Sequence, residues 1–140
     1  MSKIAVVYWS GTGNTEAMAN EVAEGAKAAG AEVDVLTASE FGADKMDAYD
    51  AVAFGCPAMG DEVLEEDEFE PLYSSCEPKL SGKKVGLFGS YGWGDGEWMR
   101  SWEEKCQNDG VALAVDSVIC NEDPDDEAQA ACIELGKAIC

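Results

Sequence analysis

With 140 residues, 46% of them hydrophobic, the chain has the size and apolar content of one folded domain, residues 1–140, with no internal repeat or linker. Its 29 acids against 9 bases give a formal charge of −20, which repels nucleic acid and anionic membrane, and no apolar run is long enough to span a bilayer. The 6 cysteines form no Cys-x-x-Cys pair and no histidine is present, so the usual zinc and iron–sulfur spacings are missing, no metal site is expected, and free thiols suit a cytoplasmic chain.

Taken in order, Ile4 to Val7 is a short apolar run that reads as a buried parallel strand. Glu16 to Ala29 follows as a helix, with Met18, Val22 and Ala26 at helical spacing and Gly30 as its C′ residue. Between them lies Tyr8-Trp9-Ser10-Gly11-Thr12-Gly13-Asn14-Thr15. Its glycines permit a tight turn, its hydroxyls and amide are neutral donors, and the free N–H groups of the helix start form a natural anion site, with phosphate the natural guest. No lysine completes a P-loop, and Glu16 stands where a dinucleotide fingerprint needs a third glycine.

Val33 to Leu36 reads as the second strand, Ser39 to Asp50 as irregular chain with one short turn near Asp44 to Met46, and Ala51 to Gly55 as the third strand. A loose helical pattern covers Glu62 to Tyr73, with Pro71 as a kink or restart. Val85 to Gly89 is the fourth strand, Ser90 to Gly96 a glycine- and aromatic-rich loop, and Glu97 to Asn108 a helix with Trp98, Trp102 and Cys106 on one side. A fifth strand is expected over Val111 to Ile119, interrupted near Asp116-Ser117, and a last helix runs to Ala138, capped by Asp123 with Pro124 at its first position. Alternating apolar strands and helices predict an α/β fold, an open parallel sheet with helices on both faces. In such sheets ligands gather beyond the carboxyl ends of the strands, where the Ser10, Pro57 and Ser90 loops meet. Glycines around Trp93 leave that indole without packed neighbours, which favours a flat ring held between Met59 and Trp93.

Three motifs then carry a family resemblance over essentially the whole chain: Tyr-Trp-Ser-Gly-Thr-Gly-Asn-Thr-Glu from Tyr8, Ala-Met-Gly-Asp-Glu from Ala58, and Leu-Phe-Gly-Ser-Tyr-Gly-Trp-Gly from Leu87. The chain resembles the short-chain bacterial flavodoxins. The resemblance implies a five-stranded parallel sheet of order 2-1-3-4-5, and one non-covalent FMN used to move single electrons between redox proteins. It implies that Ser10, Gly11, Thr12, Gly13, Asn14 and Thr15 cradle the phosphate with help from Ser90. Trp93 and Met59 would cover the two faces of the ring, Glu62 would accept from flavin N3, and the backbone of Gly89 and Gly92 would edge the pyrimidine. Pro57, Ala58, Tyr91 and Gly94 complete the expected cofactor-binding set, and no catalytic residue is expected. The Gly60-Asp61 peptide would turn on half-reduction, its carbonyl accepting the new N5 proton.

The charge gives the redox expectation. Neutral donors hold the phosphate, while Asp61, Glu62 and Asp95 disfavour an anionic reduced ring, so a stabilised semiquinone and a very low second potential are expected. Asp61 to Glu70 holds seven acids, which read either as a solvated helix face or as a docking rim for the basic faces of ferredoxin-replacing oxidoreductases. The acids at 122, 123 and 125–127 read as a helix N-terminal cluster. The expected partners are thus redox proteins, the chain being a monomer that binds neither nucleic acid nor membrane. A small FMN-dependent reductase with its own substrate is the alternative. A receiver domain is disfavoured by Cys56-Pro57 and Cys120-Asn121 where its aspartate and lysine would stand, and an adaptor role would leave the Gly-Trp-Gly loop unexplained.

Overall fold

The computed structural model describes residues 3–11, 13–59, 64–80, 83–92, 96–111, 113, 116–122 and 124–140. Five strands, β1 (Lys3–Tyr8), β2 (Glu32–Thr37), β3 (Ala51–Gly55), β4 (Lys84–Tyr91) and β5 (Val118–Asn121), form one parallel sheet of order β2-β1-β3-β4-β5, as expected. Four helices, α1 (Asn14–Ala28), α2 (Phe69–Cys76), α3 (Glu97–Asn108) and α4 (Asp126–Ala138), cover it. The two-residue period of the strands sorts the core. Ile4 and Val6 of β1 meet Met18 and Val22 of α1 and Leu135 of α4 on one face; Ala5 and Val7 join Phe69, Tyr73, Trp98 and Trp102 of α2 and α3 on the other.

The end of α1 is a Schellman turn: Gly30, at φ 94°, donates to Lys27 O at 3.0 Å, and Ala31 donates to Ala26 O at 3.1 Å. On the same face α1 and α4 approach backbone to backbone. A Cβ on Gly25 would collide with the carbonyl of Ile133, and one on Gly136 with the carbonyl of Val22. The two glycines interlock the helices reciprocally.

Several boundaries differ from the sequence expectation. The helix predicted over Glu62 to Tyr73 starts only at Phe69 and runs on to Cys76, while Leu64 to Glu68 are not helical. Pro71 therefore falls in the first turn, where no intrahelical acceptor awaits its missing N–H, and it neither kinks nor restarts the helix. Strand β4 continues through Ser90 and Tyr91, because pairing with β5 extends it into the predicted loop: Ser90 lies opposite Cys120 and Tyr91 opposite Asn121. The fifth strand is shifted; Leu113 makes one bridge to Val85, and the regular strand covers only Val118–Asn121. The cap of α4 is Asp125, whose Oδ1 accepts from Ala128 N at 2.8 Å, so Pro124 precedes the cap; Asp123, the expected cap, lies outside the described residues. The irregular 38–50 stretch contains two 3-10 turns, Ala38–Glu40 and Ala43–Ala48.

Gly136→Ala is expected to lower stability by about 2 kcal/mol, because collision with a backbone carbonyl outweighs the ~1 kcal/mol helix-propensity gain. Urea unfolding would show a lower midpoint at unchanged slope; a midpoint equal to the parent's would contradict the interlock.

Candidate functional site

The carboxyl ends of β1, β3, β4 and β5 open into a cleft of about 420 Å³, within the size range of small-molecule sites. From β1 the chain enters α1 through Gly13, whose φ of 98° is left-handed and has open space where a Cβ would be. Glycine is required there for its backbone, not for room. Ser10 Oγ accepts from Gly13 N at 3.0 Å and Glu16 N at 3.3 Å, which braces the turn. Asn14 and Thr15 are the next helical residues, and their amides meet no acceptor among the described residues. These amides, with the helix dipole behind them, offer an anion neutral donors.

Thr15 and Ser90 join the helix start to β4. Their hydroxyl oxygens lie 3.3 Å apart and Ser90 N donates to Thr15 Oγ1 at 3.4 Å, both residues being buried. Thr15 thus ties the turn to the sheet edge and leaves its backbone amide for a ligand. Pro57, Ala58 and half-buried Met59 form one wall, fastened to β4 by Ala58 N donating to Ser90 O at 3.0 Å; Tyr91 and exposed Gly92 also line the cleft. Tyr91 leans on Trp98, with ring centroids 5.6 Å apart at 51°. Gly89 stands behind the wall: a side chain there would strike the carbonyl of Cys56, and that carbonyl accepts from Trp98 Nε1 at 3.1 Å.

Of the residues predicted to bind the cofactor, Gly11, Asn14, Pro57, Ala58, Met59, Ser90, Tyr91 and Gly92 line the cleft. Gly13, Thr15 and Gly89 support it from behind. Ser10 faces an adjoining hollow of about 290 Å³ with Tyr8, Glu16, Thr37 and Glu68. Thr12, Gly60, Asp61, Glu62, Trp93 and Gly94 lie outside the described residues, as does Asp95.

Two lining residues were given no role by the sequence reasoning. Trp9 spans the cleft and the hollow, packs against Gly11, and donates from Nε1 to Glu68 Oε1 at 3.4 Å. The signal was present: an aromatic at a strand end beside the phosphate turn. Glu122 was read as part of the α4 N-terminal cluster, yet it lines the cleft. It follows β5 in a left-handed conformation at φ 58°, and its N–H donates to Tyr91 O at 2.8 Å. Position after a strand, not proximity to the next helix, decided its place.

The described lining contains no lysine or arginine. Flat apolar surface from Trp9, Met59 and Tyr91 stands beside free amides and hydroxyls, so a planar ring with a phosphate tail fits the donors and walls of this cleft. Among the described residues no cluster of acids and thiols could hold a metal ion, and no helix is long and apolar enough to cross a membrane. The six cysteines are all thiols with no disulfide between them, and burial pushes the Cys56 thiol up to about 12, which keeps it protonated.

The sequence profile of the family described as Flavodoxin matches residues 6–136. The chain is 50% identical over 135 residues to the flavodoxin of Megasphaera elsdenii and 50% identical over 134 residues to that of Clostridium beijerinckii, with 96% of each chain covered in both cases. A solution structure of two-electron reduced Megasphaera elsdenii flavodoxin, 48% identical, superposes with a TM-score of 0.88 over 97% of both chains. Identity at this level over nearly the full length matches the cleft to a chemistry: the chain belongs to the flavodoxin family in its short-chain bacterial form, an electron carrier that holds FMN non-covalently, works between semiquinone and hydroquinone, and converts no substrate of its own.

Proposed function

We infer that residues 1–140 act as a single FMN domain whose cleft holds the cofactor by its phosphate at the start of α1 and by its ring between the walls. The observation that carries this is the convergence of the Asn14 and Thr15 amides, Met59, Ser90 and Tyr91 at one sheet edge. The bound FMN supplies one-electron redox chemistry. The protein supplies position and field. Amides of Gly11, Asn14 and Thr15, in the turn that Gly13 shapes, with the hydroxyls of Ser10, Thr12 and Ser90, hold the phosphate. Met59 packs on the ring, Trp93 is assigned to its other face by the family resemblance, and Pro57, Ala58, Gly60, Asp61, Glu62, Gly89, Tyr91, Gly92 and Gly94 frame its edge. Because every donor is neutral, the phosphate is retained without a cation that would also favour a negatively charged reduced ring. Glu122 at the cleft adds to that disfavour.

The partners are redox proteins with basic docking faces, including ferredoxin-replacing oxidoreductases, met by a monomer in the cytoplasm. The −20 charge and the exposed carboxylates of Glu66, Asp67 and Glu70 support this reading, since complementary fields raise association rates.

Anaerobic reductive titration followed by absorbance tests the assignment. A yellow protein passing through a long-wavelength blue stage is expected, with the second midpoint well below that of free FMN; a second midpoint at or above the free value overturns it. Ser10→Ala removes the acceptor that braces two amides, and is expected to weaken FMN binding by about tenfold, ~1.4 kcal/mol, in a fluorescence titration. In stopped-flow reduction by a basic reductase, Glu66→Gln/Glu70→Gln is expected to slow association several-fold at low ionic strength. The difference should vanish at high salt, whereas a salt-independent rate in the parent protein would remove the docking rim.

A further inference from the structure

The acidic run is not one surface. Glu66, Asp67, Glu68 and Glu70 are exposed, whereas Glu65 is 6% exposed. Its Oε2 accepts from Asp67 N at 2.9 Å, and its Oε1 from Glu68 N at 2.7 Å and Phe69 N at 2.8 Å. Its carbonyl accepts from Glu70 N at 2.8 Å, and its own N–H donates to Cys56 Sγ at 3.3 Å. Every polar group of Glu65 is therefore engaged. Burial works to raise its pKa, but the N–H bonds outweigh it and hold the carboxyl below its ordinary value, so it is charged at neutral pH.

Cys56, the other end of this connection, is fully buried and hydrogen-bonded on both sides of its backbone. Its N–H donates to Phe88 O at 3.1 Å, its carbonyl accepts from Trp98 Nε1 at 3.1 Å, and Sγ lies 3.5 Å from Pro57 O. Directly after it come Pro57, Ala58 and Met59 of the cleft wall. The Glu65–Cys56 contact closes the foot of the stretch that carries this wall, and the Glu65 carboxylate anchors that foot to the first turn of α2.

We propose that Glu65 is a positioning residue for the cofactor cleft, clamping residue 65 to Cys56 and to α2 so that Met59 is held in place before FMN arrives. This rests on the assignment of Met59 to the ring face. Fixing residue 65 to Cys56 before binding lowers the ordering that FMN must impose at Met59. Where the clamp is absent, the competent arrangement is only part of the ensemble and the apparent affinity falls by that fraction. Glutamine retains one acceptor oxygen for Glu68 and Phe69 and presents an amide NH₂ to Asp67 N, so Glu65→Gln weakens the clamp without removing it.

FMN dissociation constants and amide exchange in the apoprotein test the proposal, with Leu72→Ala as a packing control in α2. Glu65→Ala is expected to weaken FMN at least tenfold and Glu65→Gln about threefold, with exchange at Met59 and Leu64 faster in the same order. Cys56→Ala should resemble Glu65→Gln, and the double variant should cost less than the product of the two single losses, because both cut one clamp. The first one-electron midpoint potential should move in Glu65→Ala. Leu72→Ala should lower the urea midpoint yet leave affinity, potential and Met59 exchange within twofold of the parent. Affinity and exchange within twofold of the parent in both Glu65 variants would reduce Glu65 to a helix cap and overturn the proposal; should Glu65→Ala not fold, Glu65→Gln decides alone. If Met59→Ala leaves affinity and potential unchanged, the ring assignment fails instead, and Met59 exchange still decides the clamp.

Discussion

The cleft depends on one backbone conformation. Gly13 at φ 98° turns the chain into α1, and the amides of Asn14 and Thr15 that follow it meet no acceptor among the described residues. In a chain of formal charge −20, a phosphate cannot be drawn in by net attraction. It must be caught at short range, where N–H groups near 3 Å with a helix dipole behind them outweigh a repulsion that solvent screens. A lysine in the turn would bind phosphate more strongly, but its charge would also ease formation of a reduced anion nearby. A cleft lined by neutral donors keeps such a charge away from the ring.

Burial divides the carboxylates into groups with unrelated work. Glu65 is buried and holds backbone amides; Glu68 is exposed but receives the Trp9 indole; Glu122 stands in the cleft; Glu66 and Glu70 face solvent. A charge count treats these alike. Desolvation and hydrogen bonding separate them, since a carboxylate taken from water must find donors in exchange, and only those left in water project their charge to a partner. The acidic surface available for docking is smaller than the sequence suggests.

Where the sequence was legible, the signal was periodic or steric. The third strand, Ala51–Gly55, and helix Glu97–Asn108 have their expected bounds, because an uninterrupted apolar run and a Trp98/Trp102/Cys106 stripe each admit one arrangement. Gly30, at φ 94°, ends its helix as expected, and Gly110, at φ 75°, does the same for α3. Strand order followed from family resemblance, since periodicity does not encode neighbours. What failed was decided by distant partners. Residues 65 to 68, all acidic, look helical locally, yet the Glu65 side chain folds back on the amides ahead of it and delays α2 to Phe69. Tyr91 became strand because Asn121 lies opposite it, and Glu122 turned to the cleft because its amide meets Tyr91.

The interlocked glycines of α1 and α4 have a consequence for how the chain is made. The phosphate turn lies at the beginning of α1, and α1 rests on α4, the last element in chain order, through Gly25 and Gly136. These contacts join residues more than a hundred positions apart, as does the sulfur pair Cys120 and Met18 at 3.5 Å. In a growing chain the glycine turn is made early, whereas the α4 contacts that pack α1 form only after residues 126–138 have been added.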